Sequence, residues 1–135
     1  MITVSALADY NGEPFGGARK TCNQDSATDD DCAFFSIFGT DVDIGAPDVC
    51  IKSTWKAVKK GKRKVPGYKT ISGTSMASPH VAGAAAVYVA NRNPRATPVQ
   101  VRTFVTAPTN TEAEGAGHFG SLGFNPEPVL QMDNY

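Results

Sequence analysis

The run from Thr74 to Ala90 constrains this chain more than any other part of it. Met76, Ala77, Val81, Ala82, Ala84, Ala85, Ala86, Val87, Val89 and Ala90 leave almost no polar face on a helix. A helix that is apolar all round has to be covered on every side. Ala82, Gly83, Ala84 and Ala85 are small enough to let neighbouring backbone approach closely. Pro79 falls within the first turns, where a missing N–H costs least. The longer run Ile71 to Asn91 is uncharged, but it also holds Ser, Thr, Gly, a Pro and a His, so it reads as a buried helix rather than a bilayer span.

A length of 135 residues gives room for one domain. Thirteen Lys and Arg balance thirteen Asp and Glu, for a formal charge of +0, which argues against a whole-protein footprint for nucleic acid or a membrane surface. Six of those thirteen basic residues crowd into Lys56 to Lys64. With no interleaved aromatics, that run reads as an exposed surface segment, and nucleic-acid binding through it is the weaker alternative. The acidic stretch Asp25 to Asp31 has no EF-hand spacing and reads as a solvated loop.

Strands are expected over Ile2 to Leu7, Ala33 to Ser36, Val42 to Ala46 (halted by Pro47), Val49 to Ser53 and Tyr68 to Ser72. A second helix is announced by Thr97-Pro98-Val99-Gln100: an N-cap, a proline at N1 and a capping-box glutamine. Pro108 stops it, and the tail after Gly115 is irregular. Cys22, Cys32 and Cys50 fit no zinc spacing. A Cys22–Cys32 disulfide that leaves Cys50 over, and three unpaired thiols with Cys50 buried in a strand, are both open readings. No signal peptide opens the sequence, because Met1-Ile2-Thr3-Val4 is already strand-like.

Gly73-Thr74-Ser75 puts a serine at the start of the apolar helix, directly after a glycine. A helix N-terminus offers free N–H groups and the positive end of the dipole, both favourable to an oxyanion forming beside Ser75. The plain alternative for such a serine is an N-cap. The whole string Gly73-Thr74-Ser75-Met76-Ala77-Ser78-Pro79-His80-Val81-Ala82-Gly83 resembles the nucleophile segment of the subtilisin-like serine proteases, the subtilases. Ile2 to Ala6, Phe35 to Gly39, Val42 to Pro47, Ile51 to Trp55 and Asn93 to Val105 resemble further segments of that family. The resemblance covers roughly residues 1 to 125 and is closest to the proteinase K and bacterial secreted branches.

That resemblance implies an α/β fold, here the C-terminal part of the subtilisin-like three-layer arrangement of a mostly parallel sheet with flanking helices, incomplete over residues 1–135. It implies Ser75 as acyl-forming nucleophile and backbone oxyanion donor, with Gly73, Thr74 and Met76 against substrate and Met76 on the leaving-group side. It further implies protein or peptide substrates, a secreted protein, no cofactor for the chemistry, and a structural Ca²⁺ that Asp43 helps to hold. The general-base histidine, the orienting aspartate and the side-chain oxyanion donor belong to segments not found among these residues. His80, on the nucleophile helix, is implied to be a packing residue, and His118 a surface loop residue. The remaining part of the catalytic domain is therefore an implied partner, and neither nucleic acid nor membrane is expected. A non-catalytic interaction module that keeps the helix for packing is the alternative. Ile37, Asp48 and Ser72 depart from the family pattern, and Asp48 stands where a glycine with greater backbone freedom is usual.

Overall fold

The computed structural model describes residues 1–11, 17–23, 27–37, 39–107 and 128–130. Along the chain these form β1 (Val4–Ala8), β2 (Asp31–Cys32), β3 (Ile44–Pro47), β4 (Ile51–Lys60), β5 (Arg63–Ile71), α1 (Thr74–Asn91) and α2 (Pro98–Val105). β1 lies at the centre of a three-stranded sheet, parallel to β3 and antiparallel to β2. The Val4↔Ile44 to Leu7↔Pro47 register aligns two short apolar runs. On the outer edge of β3, Gly45 exchanges backbone hydrogen bonds with Pro128 and Leu130, both 2.8 Å.

Ser5, Leu7, Ala6 and Ala8 are all buried, so β1 is covered on both faces, as suits a strand that has a parallel neighbour. One core, under β1, contains Ala6, Ala8, Ala27, Ala33, Val49 and Cys50. The other joins sheet to helices through Ile44, Ala46, Ala77, Val81 and Val105, with Val101 and Phe104 alongside. Most of these side chains are alanine or valine, so the elements approach one another closely.

The α1 helix is buried along one stripe only, Ala77, Val81 and Ala84, at the i, i+4, i+7 spacing that faces the sheet. Tyr88 adds a ring stacked on Phe104 of α2, centroids 4.0 Å apart. On the opposite side, Ser75, Ser78, Pro79, Ala82, Gly83, Ala86 and Ala90 are exposed. The all-round cover that its composition demands is thus supplied on one side by these residues. Ala84, at 1% exposure, has no room to grow. Ala84→Leu is expected to destabilise the complete protein by about 1–3 kcal/mol through over-packing. An unchanged melting temperature would contradict the packing described.

α2 forms as its capping signature requires. The Thr97 Oγ1 accepts from the Gln100 N–H (3.3 Å), and Gln100 Oε1 accepts from the Thr97 N–H (2.9 Å). The β4–β5 pair is a long antiparallel ribbon that turns at Gly61, and most of both strands is exposed. The register shifts between Trp55 and Val58, a bulge that pushes the Lys56 carbonyl against Gly67. A Cβ at Gly67 would lie 2.2 Å from that oxygen, so only glycine fits there.

Four expectations need correction. Pro47 does not halt its strand, because β3 includes it and pairs it with Leu7. Residues 33–36 form a turn instead of a strand, closed by the Ser36 N–H donating to the Ala33 carbonyl (2.8 Å). The Ser36 hydroxyl, not a backbone ladder, accepts the Ala6 N–H (2.8 Å). The disulfide joins Cys22 to Cys50 and does not include Cys32, so both cysteine readings fail. Cys32 sits in β2 opposite Leu7, whereas Cys22 reaches across to the turn before β4. Finally, Asp29 and Asp30 are buried, not solvated, and Asp29 accepts the N–H groups of Tyr10 (2.7 Å) and Ala18 (2.8 Å). Asp25, His118 and the tail from Gly115 to Glu127 lie outside the described residues.

Candidate active site

Ser75 sits in the first turn of α1 and is exposed. Its position is set by the residues just before it. Gly73 has φ 149°, a conformation that side-chain-bearing residues rarely adopt, and it is the N-cap of the helix. A Cβ there would meet only the Met76 sulfur at 3.7 Å, so the backbone, not the space, requires glycine. The Met76 N–H turns back to the Gly73 carbonyl (2.7 Å). The first N–H groups of a helix have no intrahelical acceptor, so those of Thr74 and Ser75 remain at the helix end beside the Ser75 hydroxyl. Pro79, one turn on, offers no N–H to the Ser75 carbonyl.

The segment before the helix is clamped to the turn after β3. The Gly73 N–H donates to the Asp48 carbonyl (3.2 Å), and the Cys50 N–H donates to Ser72 Oγ (2.8 Å). Asp48 is itself fixed to the sheet by donating its N–H to the Leu7 carbonyl (3.0 Å). Among the described residues the non-glycines with positive φ are Asp30 and Cys50, at 59° and 61°, so the unusual backbone falls on Cys50 and not on Asp48. The Cys22–Cys50 disulfide holds it there. None of the Cys50, Ser72 and Asp48 contacts was legible in the Gly73–Gly83 motif itself, although the Ser72 and Asp48 departures marked the place.

Ser75 lines two grooves. One, about 610 Å³, is lined by Ile2, Val4, Thr74, Ser75, Ser78 and Pro79. The other, about 410 Å³, runs along the base of the β4–β5 ribbon and includes Trp55, Lys69, Ser75, Met76 and His80. Met76 is half-buried at its floor. Thr74, Ser75 and Met76 thus line these grooves, and Ser75 is shared by both.

The family pattern of the subtilases (peptidase S8) matches residues 1–124. The chain belongs to the subtilase family. It is 46% identical over 77 residues to alkaline serine exoprotease A of Vibrio alginolyticus, which covers 57% of this chain and 13% of that protein. It is 40% identical over 101 residues to subtilisin Savinase of Lederbergia lenta, covering 73% of this chain and 33% of that protein. The fold matches a cold-adapted subtilisin-like serine proteinase with a TM-score of 0.59 at 27% identity, over 96% of this chain and 35% of that one. This subtilase sequence thus spans about a third or less of the relatives it matches.

The structure bears on two further residues that the resemblance singled out, His80 and Asp43. Among the described residues of this subtilase His80 is the one histidine, and its Nδ1 donates to the Met76 carbonyl one turn back (2.7 Å). It is held along its own helix. Asp43 does not present an open cation site: Oδ1 pairs with the Arg102 guanidinium and Oδ2 accepts the Thr3 N–H (2.8 Å). Arg102 also donates to the Met1 carbonyl, so the pair ties α2 to the start of β1. A cation beside Asp43 would have to displace a guanidinium and then find several more oxygens. The residues present do not fit it. Three carboxylates do converge elsewhere, Asp9, Asp29 and Asp30, with oxygens within 4.8 Å of one another.

Proposed function

We propose that this chain supplies the nucleophile of a serine endopeptidase. The carrying observation is the exposed Ser75 in the first turn of α1, where it lines two grooves. In this reading Ser75 Oγ attacks the peptide carbonyl and forms an acyl-enzyme, and the Ser75 backbone N–H donates to the oxyanion. The acyl portion of the substrate occupies one groove and the departing portion the other, against Met76. Gly73 and Thr74 set the height of the hydroxyl relative to bound substrate.

A base must take the Ser75 proton and an orienter must hold that base. We assign both to the remainder of the subtilase domain, which would also cover the exposed Ala82, Gly83, Ala86 and Ala90. No cofactor enters the chemistry, and no cation is assigned to Asp43. The Cys22–Cys50 disulfide fits a protein that matures in an oxidising, secretory environment. No helix among the described residues is long and apolar enough to cross a membrane.

The test is pre-steady-state kinetics on the complete protein with an activated ester. An initial burst equal to the protein concentration is expected, because acylation of Ser75 outruns deacylation. Absence of hydrolysis would overturn the reading and favour the packing-only module.

A further inference from the structure

The balanced total charge of the chain hides a sharp segregation. Between Asp48 and Glu112 there is no Asp or Glu, whereas the β4–β5 ribbon alone carries Lys52, Lys56, Lys59, Lys60, Lys62, Arg63, Lys64 and Lys69. Antiparallel register sets Lys59 directly opposite Lys64 and Lys60 opposite Arg63. Like charges directly across a ladder repel and weaken the pair. A few lysines suffice to protect an exposed ribbon from pairing with other copies. Facing rows of cations go beyond that need, and anions lying along them would relieve the repulsion.

The ribbon also leads to the nucleophile. Its base walls the groove that holds Ser75, Met76 and His80, and among the described residues no acidic side chain lines that groove. On the ribbon face that carries Ile51, Ser53 and Trp55, the Lys69 ammonium lies 4.8 Å from the Trp55 ring centroid. On the other face, Lys52 lies 5.9 Å from the Tyr68 ring centroid. Trp55 and Tyr68 are 47% and 65% exposed. Each lysine is thus held by a ring at the surface with its ammonium open to a ligand. Each strand of the ribbon also has an outer edge, to which an extended polypeptide can add main-chain hydrogen bonds.

We propose that the β4–β5 ribbon selects polypeptide substrates that carry a run of acidic residues on the leaving-group side of the scissile bond. This inference rests on the endopeptidase reading and names its substrate class. The carboxylates lie along Lys52, Lys69 and the tip cations, the backbone follows a ribbon edge, and the scissile carbonyl is delivered to Ser75. Attraction of this kind acts chiefly on capture, so it raises kcat/KM and fades with salt.

The experiment compares two quenched peptides on the complete protein, identical except for an Asp run or an Asn run after the scissile bond. The Asp peptide is expected to show about tenfold higher kcat/KM at low salt, with the ratio falling towards unity at about 0.5 M NaCl. Replacing Lys59, Lys60, Lys62 and Lys64 together by Gln is expected to lower the ratio, and the matching Arg set to keep it. Equal cleavage of the two peptides at low salt would overturn the proposal. Binding of both peptides to a Ser75→Ala protein separates this proposal from the endopeptidase reading. A preference for the Asp peptide there supports the ribbon even if the wild type hydrolyses neither, and its absence refutes the ribbon whatever the activity. An oligodeoxynucleotide that binds more tightly than the Asp peptide and displaces it would also overturn the proposal, in favour of nucleic acid.

Discussion

Residues 1–135 expressed alone are expected to hydrolyse peptides on the order of 10⁴- to 10⁶-fold more slowly than the complete protein, the scale measured for triad losses in subtilisin itself. A serine hydroxyl is a weak nucleophile until a base within hydrogen-bond reach takes its proton. His80 is not that base. It is five positions along the helix, rotated about 140° from Ser75, and its Nδ1 is already bonded to the Met76 carbonyl. Stability adds to the effect. Ala82, Gly83, Ala86 and Ala90 lie open on α1, and Phe34 and Ile37 are 72% and 79% exposed. Exposed apolar surface of this extent favours association, so the isolated chain is expected to aggregate as well. The check is a chromogenic peptide assay beside light scattering. Activity near that of the complete protein would mean that a base exists among these residues.

The second large effect concerns Cys22. In the complete protein, Cys22→Ala is expected to cost about 3–4 kcal/mol, because the disulfide closes a loop across a separation of 28 residues. The damage should also reach the nucleophile. Cys50 is held at φ 61° and donates its N–H to Ser72 Oγ, three residues before Ser75. Loosening that turn should lower kcat for a substrate that still binds. Thermal unfolding and steady-state kinetics on the variant check both parts. An unchanged melting temperature, or a peptide map that joins Cys22 to Cys32, would contradict the pairing.

The legible parts of this chain are those fixed by local chemistry. Thr97 and Gln100 are three residues apart, and the capping box they signal forms with both hydrogen bonds in place. The apolar composition of α1 called for cover on every side, and the structure shows which side these residues leave open. Ser75 at a helix start was readable because that start is signalled by adjacent residues, whereas the positive φ of Gly73 came from the structure. What could not be read depends on partners distant in sequence. Nothing in the spacing of three cysteines says that Cys22 reaches Cys50 over the nearer Cys32. Asp29 is buried because Tyr10 and Ala18 bring N–H groups to it from another segment. Ala33 to Ser36 has strand-like composition, yet the Ser36 hydroxyl takes the Ala6 N–H that a strand carbonyl would have taken. Asp43, expected to help hold a cation, is instead paired with Arg102 of α2, 59 residues away.

The central claim is that Ser75 is a working nucleophile, and covalent labelling tests it most directly. The complete protein is treated with a fluorophosphonate and digested, and the adduct is located by mass spectrometry. The expected result is one adduct, on Ser75, which is lost in Ser75→Ala. An adduct on another residue, or none on a folded protein that carries the whole domain, would contradict the account.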